Sequence, residues 1–274
     1  MAHRLTDSTG LVDVVLLAGD RGPGDPLAAA AQVAGKTLVP VAGTPMLSRV
    51  LSTLATWGGS ERIVLVAPKS TAYEKAAARG LTGADVELVW VQPAASLVAS
   101  VRAGLAETGS RRRLLLTADH ALLKESWLDA LLVAAARDPA SVLVGLADWE
   151  RVMARFPGSR RTRYRFSDRS VCGTNLFALH ADDGVERILQ TWQQVEQERK
   201  KPWKIVSLLG WVNLGRYLAG RLSLSEAFAT LSGRVGAVVH PVLMDDPLAA
   251  VDVDSPADLE LVEQVLREKE AGSC

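Results

Sequence analysis

The sequence predicts an α/β fold, doubly wound around a mostly parallel sheet, with a small hairpin and a helical insertion in its C-terminal half. Three observations predict it. Short Val/Leu-rich runs alternate with helical patterns through the first half of the chain. Several of those runs are continuously apolar, as strands covered on both faces are. The first of them leads directly into a glycine-rich stretch, the turn that such sheets place at a strand's carboxyl end.

Taken in order, residues 12–17 form the first strand, 45–57 a helix, 62–66 a strand and 71–79 a helix. The alternation continues with a strand over 86–91, a helix over 96–107, a strand over 113–116, a helix over 125–137 and a strand over 142–146. The rhythm then changes. Residues 155–169 carry six arginines around Pro157 and Gly158, which reads as a basic loop entering a strand at 163–166. A second strand over 174–179 would close a hairpin with it. Residues 182–233 read as helices broken at Pro202, Gly210 and Gly220, with Trp192, Trp203, Trp211, Tyr217 and Phe228 as packing residues. A last strand pair and a helix over 256–270 return to the α/β style. The expected organisation is a single domain over 1–274, within which 150–235 forms an acceptor-side hairpin and helical subdomain.

Composition narrows the function classes. Hydrophobic residues make up 48% of the 274, charged residues 23%, and Lys+Arg equals Asp+Glu at 31 each, the balance of a folded globular chain. A zero net charge argues against a protein that grips nucleic acid along its length. Cys172 and Cys274 offer neither a disulfide framework nor zinc spacing. The apolar run at 11–18 is interrupted by Asp13, lacks signal-peptide flanks and is far shorter than the roughly 20 residues of a membrane span. A cytoplasmic protein without membrane contact is expected.

The stretch Leu17-Ala-Gly-Asp-Arg-Gly-Pro-Gly24 follows the first strand, and Gly35-Lys-Thr-Leu-Val-Pro-Val-Ala-Gly-Thr-Pro-Met-Leu47 follows that loop. Glycines at such a strand end let backbone N–H groups approach a polyphosphate, with Lys36 and Arg21 as the cations the cradle needs. A Walker A reading fails, because Ala30 stands at its first glycine position and residues 38–41 continue extended. No G-x-G-x-x-G opens a helix after the first strand.

Four blocks carry a resemblance. They are Leu16-Leu-Ala-Gly19 with its glycine-rich loop, Lys36 and Leu38-Val-Pro-Val-Ala-Gly-Thr-Pro-Met-Leu47; Gln92-Pro-Ala-Ala-Ser-Leu-Val-Ala-Ser-Val-Arg-Ala-Gly-Leu105; Leu115-Leu-Thr-Ala-Asp-His-Ala-Leu-Leu123; and Val251-Asp-Val-Asp-Ser-Pro-Ala-Asp-Leu259. In this order they resemble the nucleotidyltransferases of the GT-A-like fold, including the molybdenum-cofactor guanylyltransferase type and the methylerythritol-phosphate and sugar-phosphate nucleotidyltransferases. The loop over 20–34 departs from the pattern. It is longer, richer in alanine and lacks an Arg-Met-Gly segment, whereas Lys36 keeps its place before Val39-Pro-Val-Ala-Gly43.

The resemblance implies that Leu17, Ala18, Gly19, Gly22, Lys36, Gln92, Ser96 and Asp119 bind the nucleotide, Gln92 and Ser96 near the base, with Lys36 and Arg21 catalytic. It implies a magnesium ion (Mg2+) on Asp119 and Asp254, with Asp252 as the alternative ligand. The residues themselves allow this: Asp119 lies just beyond a strand end, and magnesium takes one or two protein carboxylates with water and phosphate oxygens in its other positions. Asp252 and Asp254 would share one face of a strand. The competing reading makes Asp119 a helix N-cap, and Asp254 or Ser255 the cap of the helix that Pro256 opens. Ser96 is likewise a good N-cap. Arg161 and Arg163 offer forks for a phosphate or carboxylate on the acceptor, against the alternative of a solvated loop, and Asn175 is the polar side chain nearby in sequence.

The expected reaction is transfer of an NMP unit from an NTP, CTP or GTP by resemblance, to a small phosphorylated acceptor with release of pyrophosphate. A homodimer is compatible with this. The rival enzyme is a GT-A glycosyltransferase, since Asp252-Val-Asp254 matches a D-x-D metal motif. The other alternative is a catalytically inactive nucleotide-binding protein.

Overall fold

The computed structural model describes residues 11–19, 24–197 and 210–272. The chain divides into two compact units. The first comprises Met1–Gly109, Leu115–Leu128 and Val251–Cys274; the second comprises Ser110–Leu114 and Asp129–Ala250.

The strands of the first unit are β1 (Asp13–Leu17), the short antiparallel pair β2 (Pro40–Val41) and β3 (Thr44–Pro45), β4 (Arg62–Val66), β5 (Glu87–Val91) and the end of β6 (Arg112–Thr117). β1 runs parallel to β4 with Asp13 opposite Arg62 and Leu17 opposite Val66, and β4 runs parallel to β5. Every residue of β1 is buried, as its apolar run predicts. Asp13 is the polar exception, and its carboxylate accepts the Gly109 backbone N–H at 2.6 Å. The helix Leu97–Ala106 starts where Ser96 Oγ accepts the Ala99 N–H at 3.1 Å. It lies close on the sheet at Gly104, where a Cβ would stand 2.7 Å from Val15 Cγ1 and 2.9 Å from Val66 Cγ2.

The second unit holds the start of β6, β7 (Val142–Asp148), β8 (Tyr164–Arg165), β9 (Ser170–His180) and β10 (Val239–Met244). β10 is parallel to β7, while β9 is antiparallel to both β7 and β8. The register between β7 and β9 shifts between Val144 and Leu146, and Asn175 in the middle of β9 has φ 55°. Phe228, on the helix Leu224–Val235, and Phe166 pack on buried Leu146, Val171 and Leu224.

The mostly parallel sheet with flanking helices is the predicted fold, and the differences are local. The hairpin forms, but β8 is only Tyr164–Arg165 and β9 begins four residues earlier than the sequence suggests. Residues 20–34 contain a short helix, Pro26–Ala30, because Asp25 accepts the N–H groups of Leu27 and Ala28 and proline fits the first turn. Lys36–Leu38 is a turn of 3-10 helix, so of the run expected to be extended over 38–41, Leu38 belongs to the turn and Pro40–Val41 to a strand. The expected last strand pair is one strand: β10 is followed by a 3-10 turn, Pro247–Ala250, and residues 251–254 belong to no strand. Trp211 is 73% exposed and is not a packing residue, and Trp203 lies outside the described residues. Among the described residues no helix is long and apolar enough to cross a membrane.

Candidate active site

The first unit gathers its polar groups at the carboxyl ends of β1 and β6. Ala18 N–H still donates to Val66 O, at 2.9 Å, and Gly19 then leaves the sheet exposed. A Cβ on Gly19 would meet Pro93 Cβ at 3.3 Å, so the turn after β1 lies against the segment after β5, beside exposed Gln92. Arg21 and Gly22 lie outside the described residues.

Lys36 opens the 3-10 turn, which is tied down by Thr37: its buried hydroxyl donates to Ala18 O at 3.4 Å. From there the Lys36 ammonium reaches Asp119 Oδ2 at 2.7 Å and also donates to Asp254 Oδ1. Asp119 sits two residues past β6, whose exit is held by the Ala118 N–H on Leu17 O at 2.8 Å. Its other oxygen, Oδ1, accepts from the Thr117 hydroxyl at 2.5 Å. No helix begins at Asp119, so the N-cap reading falls for it.

Capping of the last helix, Pro256–Gly272, falls to Ser255. Its hydroxyl donates to Asp258 Oδ2 at 2.6 Å and receives the Asp258 N–H at 3.3 Å. The Asp254 carboxylate is thereby left for Lys36. Residues 251–254 alternate buried and less buried, with Val251 and Val253 inside, and the Val253 N–H binds Asp119 O at 3.1 Å. That bond fixes the Asp252/Asp254 segment beside Asp119. One carboxylate oxygen from each of Asp119, Asp252 and Asp254 lies within 4.8 Å of the others. Three hard oxygen donors converging at this spacing could hold a metal ion.

The electrostatics agree with a charged cluster. Burial alone would lower the Lys36 pKa, but Asp119 and Asp254 outweigh it and hold the ammonium above its ordinary value. Burial alone would raise Asp119, and the Lys36 charge, the Thr117 hydroxyl and neighbouring His120 together hold it below the usual carboxylate range. Both groups are therefore charged at neutral pH. His120 itself is buried, edge-on to Trp127 at 5.5 Å between ring centroids.

Lys36, Asp119, Asp252 and Asp254 thus come together from three distant stretches of sequence, with Leu17, Ala18 and Gly19 beside them through Thr37. Ser96 is engaged as an N-cap. Thr117 and Thr37 were not singled out from sequence; a hydroxyl two residues before Asp119, at a strand end, is the one signal by which Thr117 could have been found. In the second unit Arg163 is held on three sides: Nε and Nη2 donate to Ser170 Oγ at 3.1 and 3.0 Å, Nη2 meets Glu150 Oε1 at 3.1 Å, and the guanidinium lies over Trp149, 4.3 Å from the ring centroid. Arg161 Nε donates to Ser159 Oγ at 3.2 Å. Asn175 occupies the left-handed region, which asparagine adopts more readily than other non-glycine residues, at the register shift.

The sequence profile of a family described as the MobA-like NTP transferase domain matches residues 14–251. A search of curated proteins gives no match. Among solved structures, a hypothetical transferase from Thermus thermophilus is 27% identical, with a TM-score of 0.75 over 91% of this chain and 99% of that one. The 4-diphosphocytidyl-2C-methyl-D-erythritol synthase of Anaerococcus prevotii is 13% identical with a TM-score of 0.54, over 94% of this chain and 99% of that one. CMP:2-keto-3-deoxy-manno-octonic acid synthetase complexed with CTP is 15% identical with a TM-score of 0.57, over the same shares, 94% and 99%. At these identities the last two show a shared fold.

Proposed function

Since the chain belongs to the family of MobA-like NTP transferase domains, we propose that this nucleotidyltransferase moves an NMP unit from CTP or GTP to a small phosphorylated acceptor, with pyrophosphate leaving. The observation that carries the reading is the convergence of Asp119, Asp252 and Asp254 around the Lys36 ammonium. An acceptor phosphate oxygen attacks the α-phosphorus, the bond from that phosphorus to the bridging oxygen breaks, and pyrophosphate departs with the electron pair. The attacking group is already an oxyanion, so no protein base is required. Catalysis of this kind rests on positioning and charge stabilisation. Lys36 offsets charge on the phosphates, Gly19 allows the backbone close approach, and Gln92 and Ser96 flank the base. Arg161, Arg163 and Asn175 hold the acceptor, and Arg21 assists Lys36. A magnesium ion on Asp119 and Asp254, or on Asp119 and Asp252, supplies positive charge to the phosphate oxygens when bound.

The test is pyrophosphate release from each NTP against a library of phosphorylated metabolites, with and without magnesium. Release that needs both an acceptor and the metal supports the reading. Consumption of a sugar nucleotide with NDP release, and none of pyrophosphate, replaces it with glycosyl transfer.

A further inference from the structure

The first unit contains a cavity of about 420 Å³ that includes none of Lys36, Asp119, Asp252 or Asp254 in its lining. We propose that it is a second ligand site, one that takes a small polyanion, a phosphorylated or polycarboxylic metabolite, on Arg49 and Arg79. Its floor is the helix Met46–Trp57, which presents Ser48, Arg49, Ser52 and Thr53, residues whose i, i+1, i+4, i+5 spacing places them on one helical face. Arg79 and Lys269 add two further cations from other helices, and Leu122 and Leu123 close one wall. The volume falls in the range of roughly 300–1,000 Å³ usual for small-molecule sites.

The arginines are oriented and only partly used. Arg49 Nε donates to Val41 O at 2.8 Å and its Nη2 to Ala42 O at 3.4 Å. Arg79 Nη1 donates to Gly43 O at 3.4 Å and its Nη2 to Thr44 Oγ1 at 3.0 Å. Both guanidinia therefore grip the β2–β3 turn with part of their donors, and each has about five N–H groups to give. Among the described residues neither forms an ion pair with a carboxylate.

The charges around Arg49 are mixed, and burial decides its balance. Burial acts first to lower the Arg49 pKa and the Glu270 carboxylate opposes it; the Arg79 charge then adds to the lowering, Glu263 opposes it more weakly, and the net shift is downward. Glu263 is also occupied, its Oε1 accepting the Ala42 N–H at 3.0 Å. Because the guanidinium stays below its ordinary pKa despite the two carboxylates, an anion bound against it would further favour its charged form. Arginine forks bind phosphate and carboxylate bidentately, so pre-set guanidinia suit either chemistry. Hydroxyl groups complete the lining, which fits a polar ligand better than an apolar one. Ser48 is committed, donating to Ala76 O at 2.7 Å, and Ser52 is exposed to the cavity side.

The experiment is calorimetric titration of the full chain with inorganic phosphate, pyrophosphate and citrate, on wild type and on Arg79→Gln, Ser52→Phe and Lys36→Ala. Arg79 and Ser52 are both exposed, and Ser52→Phe fills the cavity without touching a charge. The site predicts that citrate or a phosphate probe binds wild type and Lys36→Ala alike, and at least about tenfold more weakly to each cavity variant. Melting curves check that the variants fold; should Arg79→Gln be unstable, Ser52→Phe decides. Absence of binding by all three probes up to about 10 mM overturns the proposal. So does binding lost in Lys36→Ala but kept in both cavity variants, which would assign the anion to the nucleotide site alone.

Discussion

Lys36 Nζ lies 2.7 Å from Asp119 Oδ2 and also donates to Asp254 Oδ1. A side-chain cation thus occupies the space between two carboxylates that also face a third, Asp252. The cluster needs positive charge, and Lys36 supplies one unit of it. Phosphates and a divalent ion would bring the site both the partner that Lys36 seeks and the cation that releases it. Lys36→Ala is expected to fold normally and to lose at least about tenfold in turnover, the equivalent of roughly 1.4 kcal/mol. Binding of the metal alone, followed by calorimetry, should not weaken in the same variant, because a competing cation has gone. Wild-type kinetics in the folded variant would remove Lys36 from the chemistry.

Asp119 and Asp254, separated by more than a hundred residues, are expected to act as one metal site. Asn at either position keeps the shape and removes the charge that magnesium needs, so each change should cost most of the activity and raise the magnesium requirement. Groups that act as a unit are not additive, so the double variant should be little worse than the poorer single one. If Asp252→Asn fails while Asp254→Asn behaves as wild type, the ligand is Asp252.

Arg163→Ala should raise the acceptor KM and leave NTP binding nearly unchanged. Its contacts with Trp149, Ser170 and Glu150 are also lost in this variant. A structural contribution would appear as a lower melting temperature. A fall in NTP affinity would assign the basic segment to the nucleotide instead.

Gly104 tests the packing of the helix Leu97–Ala106 on the sheet. A methyl group there meets Val15 and Val66 well inside normal contact distance, and forced overpacking of this kind costs about 1–3 kcal/mol. Urea unfolding of Gly104→Ala should show that loss; an unchanged midpoint would mean that the helix can move away from β1 freely.

Glu226 gives a pH signature in the second unit. The Arg216 side chain, and after it the Ser223 backbone N–H and hydroxyl, bring its pKa from 4.5 down to about 2. A depressed carboxylate contributes stability above its unfolded pKa, and that stability is lost as pH falls through the folded value. Glu226→Gln keeps the capping geometry with Ser223 but not the charge pairing. Its melting temperature should therefore lie below wild type at pH 7, and the gap should close between pH 4.5 and about 2. A gap of the same size at both ends would show that charge is not its cause.

The periodic elements were legible because burial on both faces writes itself directly as apolar runs: β1, β4 and the helix Glu125–Arg137 lie where the pattern puts them. Asp119 and Lys36 were legible because their neighbours resemble a known order of motifs. What sequence could not supply was the competition for Asp254 between a helix end and a lysine 218 residues away. Both uses fit its local sequence equally well, and only the position of Ser255 one step later decides between them. The helix Pro26–Ala30 escaped notice for the opposite reason: five residues are too few to show a period.

The wide spacing of the cluster also has a bearing on biosynthesis. A chain made from its N-terminus completes Lys36 first, then Asp119, and Asp252 and Asp254 more than a hundred residues later, so for that interval a nascent chain carries the lysine without its full set of carboxylates. The bond from the Val253 N–H to Asp119 O can form only after residue 253 has emerged. A chain cut before residue 252 would lack two of the three acidic groups and also the buried Val253, Val262 and Val265, so it is expected to lose stability together with the site.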